Sequence, residues 1–168
     1  AFGNPNIESI EFHYETEKDY TKNGIKSSDK IDIFLSNLGL QTYWSGVKRE
    51  DIYFVFECKI LKNKSNNKSY IGDIQKFAER EYKFRFPFEG MIAFIEKSRI
   101  PIDEIIADIN IRLSKHVSIV TTQKLTPVLL SNTRFNHCYF SKHNKNIPKK
   151  HLIEIYHLFF DYTNLIEK

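Results

Sequence analysis

Cysteine, glycine, proline, methionine and tryptophan are all scarce in this 168-residue chain, which has two Cys, six Gly, five Pro, one Met and one Trp. The cysteines, Cys58 and Cys138, make no disulfide framework and cannot alone furnish a four-ligand zinc site, so a reducing cytoplasm is the expected compartment. So few Gly and Pro leave little room for long disordered linkers. No apolar stretch approaches the roughly 20 residues that a membrane span needs; even "EIYHLFFDY" is interrupted by His157 and Asp161. No signal-peptide pattern opens the chain, and its first residue is Ala, so the sequence is expected to be processed or to begin within a longer gene product.

What is plentiful is apolar and aromatic. With 41% hydrophobic residues, 14 Phe and nine Tyr, the chain can fill a core, and its length suits one domain over residues 1–168. The formal charge of +4 permits a polyanionic partner without requiring one.

The opening "NIESIEFHYETEKDY" alternates in places and predicts an extended edge strand. Asn23-Gly24 supplies a turn, "KIDIFLSN" a second strand, and "DIYFVFECKIL" (Asp51 to Leu61) a third, which together predict a three-strand meander. The polar loop "KNKSNNKS" follows. Ile71, Ile74, Phe77, Ala78 and Tyr82 then fall at helical spacing and predict a helix near 70–84. "GMIAFIEKS" reads as an interior strand, and Pro101 opens a second helix marked by Ile102, Ile105, Ile106, Ile109 and Leu113. "HVSIVTTQKL", "PVLLSNTRF" and "HCYFSKH" are expected strands, and "PKKHLIEIYHLFFDYTNLI" is expected to be an amphipathic helix beginning at Pro148. The predicted fold class is α/β, a central mixed sheet flanked by helices, with strands and a helix over 116–166 at its C-terminal end.

The third strand raises a question, because charges sit in an apolar run. Strand side chains alternate, so Glu57 and Lys59 share a face with Tyr53, Val55 and Leu61, their Cα atoms about 6.6 Å apart. Asp32 likewise interrupts the apolar second strand, and antiparallel pairing can set it beside Glu57. Two carboxylates sharing a site repel and are costly to desolvate, so a cation between them is expected, and a hard divalent ion with oxygen ligands, Mg²⁺ or Mn²⁺, suits them. Taken bare, the triplet is weak, since a same-face Glu/Lys pair is frequently a solvated ion pair.

Asp32, then a hairpin, then Glu57-Cys58-Lys59 closing an apolar strand, then a basic loop and a helix, resembles the PD-(D/E)xK nuclease superfamily, with its restriction endonuclease-like fold. "SYIGDIQKFAEREYKF", followed by "GMIAFI", is similar to bacterial members of that superfamily, and the resemblance implies a core over about 7–97. The resemblance implies that Asp32 and Glu57 are metal ligands together with the backbone carbonyl of Cys58. It makes Lys59 the group that orients or activates the attacking water, and Gln75 a helper on the first helix. It implies Mg²⁺- or Mn²⁺-dependent hydrolysis of phosphodiester bonds in DNA, in a restriction or phage-defence setting, with a homodimer or larger complex where both strands of a duplex are cut. Two features depart from the family pattern. Ile31 replaces the usual Pro, and the sequence opens at or near the first strand, so that either Glu11 or Glu15 substitutes for the acidic residue of the family's N-terminal helix or that helix is missing from the sequence. The alternative from another class is a catalytically inactive nucleic-acid-binding or scaffold subunit.

Lys62, Lys64, Lys68 and Lys76 cluster just beyond this site and are the candidate nucleic-acid contacts. Lys142, His143, Lys145, Lys149 and Lys150 form a second basic stretch near Tyr139 and Phe140; each cluster reads equally as a solubilising surface. The histidines read as structural, since His137, Cys138 and His143 lack an evident fourth ligand. Cys58 reads as a small apolar residue, and Tyr43 and Trp44 as either core or substrate contact.

Overall fold

The computed structural model describes residues 10–37, 53–82, 88–96, 100–130, 137–144, 152–161 and 163. Strands β1 (Ile10–Lys22), β2 (Ile25–Asn37) and β3 (Tyr53–Leu61) form the antiparallel meander, with Asn23 and Gly24 at positive φ in the first turn. Positive φ at both positions is what a tight hairpin demands, and Asn-Gly tolerates it at little cost. Helix α1 (Asn66–Glu79) then crosses to β5 (Phe88–Ile95), which lies parallel to β3, with the two-residue β4 (Glu81–Tyr82) between them in sequence. Helix α2 (Ile102–Ser114) leads to β6 (Val120–Pro127), β7 (Cys138–Asn144) and β8 (Leu152–Asp161). Among the described residues the sheet has eight strands in the order β4-β1-β2-β3-β5-β8-β7-β6, and β5 runs parallel to both of its neighbours. The fold is therefore α/β with a mixed sheet.

Both helices form where apolar residues recur at helical spacing. Tyr70, Ile71, Ile74, Phe77 and Ala78 of α1 are buried, as are Ile102, Ile105, Ile106, Ile109 and Leu113 of α2. The Asn66 carboxamide oxygen accepts from the Lys62 and Asn63 amides at 3.0 and 3.2 Å, fixing the turn into α1. Pro101 precedes α2, whose first turn carries Asp103 and Glu104 and whose last carries Arg112, the charges the helix dipole favours. The helices contact each other, and Asn110 of α2 clamps β6 by bonding both the Leu125 amide and its carbonyl. The buried face comprises Val55 and Leu61 of β3, Met91, Ala93 and Ile95 of β5, and Ile153, Ile155 and Phe159 of β8. Each large aliphatic side chain so enclosed contributes about 1.5–3 kcal/mol.

Several sequence expectations need correction. The expected helix from Pro148 is instead strand β8, with Ile153, Ile155, His157 and Phe159 buried in strict alternation between two partner strands. The first helix starts earlier than expected, at Asn66, so half of "KNKSNNKS" is helical; it ends at Glu79, where Arg80 turns extended. "PVLLSNTRF" yields no strand over Val128 to Leu130, and 131–136 lie outside the described residues, as do Tyr43, Trp44, Lys145, Lys149 and Lys150.

Candidate active site

The ladder between β2 and β3 ends at Ile33 opposite Phe56, and one residue beyond it the Asp32 side chain comes beside Glu57. There the Cys58 amide donates to Asp32 Oδ2 at 2.7 Å, replacing a main-chain partner with a carboxylate. On the other side of Asp32, the β1–β2 ladder skips Glu15, whose φ is 48° between the regular pairs Tyr14–Ile33 and Thr16–Ile31. Asp32 thus sits where the sheet is irregular on both flanks, a common device for re-aiming a side chain.

Glu57 is only 4% exposed. Its carboxyl pKa is raised from 4.5 to about 8, first by burial, then by the negative charges of Asp32 and Asp73, with Lys76 opposing and a hydrogen bond to Asp32 adding to the rise. In the absence of another cation, Glu57 therefore holds a proton against Asp32 near neutral pH. Lys59, on the same face two residues on, places Nζ 2.9 Å from Asp73 Oδ2. Lys76 Nζ lies 3.0 Å from Asp73 Oδ1. Burial of Lys76 works against its charge but is outweighed by hydrogen bonding to and the charge of Asp73, then by Glu57 and Asp29, so its pKa is raised.

Three elements accordingly bring together Asp32 from β2, Glu57 and Lys59 from β3, and Asp73 and Lys76 from α1. Of the residues expected from sequence, Asp32, Glu57 and Lys59 converge, and Lys76 belongs to this cluster more than to the loop. Gln75 is engaged elsewhere, donating to Glu79 Oε1 at 2.6 Å. The Cys58 thiol belongs to the opposite face, and burial, then Asp32 and Glu57, raise its pKa to about 11, which makes it a poor nucleophile. Lys62 pairs with Glu96 and Lys64 with Glu104 at the surface, and Lys68 is exposed. Glu11 lies within 3.4 Å of Ser36 Oγ, and Glu15 pairs with Lys30 in an exposed position.

Asp73 was absent from the sequence expectation. Its signal was present, since it falls three residues after Tyr70 and four before Phe77, in the middle of an apolar helical stripe. A carboxylate there is costly unless paired.

A divalent cation fits the carboxylate pair in one respect: Glu57 is buried beside the charge of Asp32, which holds its pKa up, and an ion held by both would offset that repulsion. Among the described residues no group of three or more His, Cys, Asp and Glu side chains is arranged to hold a metal ion, so a bound ion would rest on two carboxylates with its remaining ligands from elsewhere.

A second buried polar group lies across the sheet. The Tyr70 hydroxyl, His157, Ser141, His143 and Thr121 form a continuous hydrogen-bond chain with links of 2.7, 2.8, 2.8 and 3.1 Å. Burial lowers the pKa of His143 to about 4; burial and then His143 lower that of His157. Both rings are neutral and fully occupied, as structural histidines are.

No helix among the described residues is long and apolar enough to cross a membrane. No protein-family model matches the chain, and no curated protein or solved structure matches it.

Proposed function

We propose that the chain is a Mg²⁺- or Mn²⁺-dependent nuclease of PD-(D/E)xK type, with a restriction endonuclease-like core, that hydrolyses phosphodiester bonds in DNA in a restriction or phage-defence role. The observation that carries this reading is the meeting of Asp32 and Glu57 on one face of adjacent strands, beside a lysine two residues further along. The sequence of meander, helix and parallel strand around it is in keeping with that fold.

Asp32 and Glu57 would hold the ion. When bound, it supplies charge neutralisation at the phosphoryl oxygens and acidifies a water. The chain's own part is positioning. The Cys58 amide fixes Asp32, burial keeps bulk water from Glu57, and Lys59 directs its remaining ammonium hydrogens at the attacking water or a phosphoryl oxygen. Hydrolysis forms the bond from water oxygen to phosphorus and breaks the ester bond opposite, in line, with no covalent enzyme intermediate.

The test is cleavage of plasmid and linear DNA with Mg²⁺ or Mn²⁺, compared with EDTA. Glu57→Ala and Lys59→Ala, checked for folding by circular dichroism, are expected to lose about 10²–10⁴-fold in rate. Absence of cleavage by wild type on DNA and RNA with either ion would overturn the proposal. One observation favours the second reading, a non-cleaving nucleic-acid-binding or scaffold subunit: Lys59 is already neutralised by Asp73. Binding without cleavage would establish it.

A further inference from the structure

We propose that Asp73 is a positioning residue whose buried carboxylate gathers Lys59 from β3 and Lys76 from α1 into a two-ammonium receptor for phosphate oxygens beside Asp32 and Glu57. Its catalytic half rests on the nuclease reading; the clamp itself rests on the geometry alone.

The Asp73 side chain occupies a helix position where an aliphatic residue would pack, and it makes up for that loss by meeting one ammonium at each oxygen. The two lysines come from different elements, so neither strand nor helix alone could set their spacing. Their side chains remain 27% and 40% exposed, and each ammonium carries three donors, which leaves hydrogens for an anion from solvent. Two lysines without this carboxylate would repel each other, and each would regain rotamer freedom. Lys62 and Lys64 differ, because each meets a separate carboxylate, Glu96 and Glu104, so that no single group gathers the two.

Three measurements on wild type, Asp73→Asn and Asp73→Glu test the proposal. The first is acylation of lysines by a water-soluble active ester, read by mass spectrometry. Lys76 should be modified more slowly than Lys64, although their exposures of 40% and 49% are similar, and Asp73→Asn should abolish that difference. Equal rates in wild type overturn the clamp, and this result needs neither activity nor a folded variant. The second is calorimetric titration with Mn²⁺ alone. The third is steady-state DNA cleavage, where Asp73→Asn should lower kcat about 10²-fold, keep KM and Mn²⁺ affinity within about threefold, and be partly rescued by Asp73→Glu. Loss of Mn²⁺ affinity would make Asp73 a ligand and overturn the positioning role, as would an unchanged kcat in folded Asp73→Asn. If wild type neither binds Mn²⁺ nor cleaves, the nuclease reading and the catalytic half fall together, while the acylation result still decides the clamp.

Discussion

Replacing Glu57 by Gln removes one titration while keeping the side chain's size, which isolates the energetic consequence of burying a carboxyl against Asp32 and Asp73. The folded-state pKa is raised from 4.5 to about 8, so the folded protein holds this proton more tightly than the unfolded chain. The sign follows: the contribution is fully present below pH 4.5 and is lost as pH rises to 8. At about 1.36 kcal/mol per unit, the ceiling on that loss is about 5 kcal/mol, and relaxation around the charged carboxylate should reduce it to about 2–4 kcal/mol. Urea unfolding of metal-stripped protein between pH 5 and 9, at fixed ionic strength in EDTA, measures it. Wild type should weaken across this range and Glu57→Gln should weaken less, leaving the variant the more stable at pH 8. A saturating divalent ion should remove most of the wild-type slope, because the ion stands in for the proton. Parallel curves for wild type and variant in EDTA would show that Glu57 is ionised throughout and would refute the reasoning.

Acid should act through the other buried group. The His143 pKa is lowered from 6.5 to about 4, so its neutral form stabilises the fold above pH 6.5, and up to about 3 kcal/mol is lost as pH falls toward 4; a ¹H–¹⁵N titration showing His143 protonating near 6.5 would contradict this. Tyr70→Phe removes the hydroxyl at His157 Nδ1 and should cost about 1–3 kcal/mol in urea unfolding, whereas a change under about 0.5 kcal/mol would show that this link carries little. Gly90 lies against Phe56 on β3 so closely that an added Cβ would run into the ring. Gly90→Ala should therefore destabilise by about 1–3 kcal/mol, and Phe56→Ala in the same chain should recover part of it; additive losses would show that the two do not collide.

The meander, both helices and the parallel strand were legible because their sequences carry one clear period each: Asn-Gly at the hairpin, and isoleucines at helical spacing in α2. β8 was not legible. Its buried face holds Ile153, Ile155, His157 and Phe159, while its other face carries Leu152, Tyr156, Leu158 and Phe160 with the single charge of Glu154, so polarity does not alternate. A strand flanked on both edges and apolar on both faces cannot be told from a buried helix by periodicity, and Pro148 with two lysines resembled a helix start. Within the candidate site, Asp32, Glu57 and Lys59 stood out as charges in apolar strands. Asp73 did not, because a single polar residue within a helical stripe reads as a boundary of the stripe unless its partners are known. The chain of Tyr70, Ser141, His143 and His157 was invisible for a related reason: only Ser141 and His143 are near in sequence, and the rest meet through the pairing of β7 with β8 and the packing of α1 on the sheet.

Diffraction from crystals soaked in Mn²⁺ at pH 8, with anomalous scattering locating the ion, bears most directly on the convergence of the two carboxylates. The expected result is one peak between Asp32 and Glu57, within about 2.0–2.3 Å of an oxygen of each, with Lys59 and Lys76 still gathered at Asp73. A fully occupied ion elsewhere, or an empty carboxylate pair with Glu57 still bonded to Asp32, would contradict it.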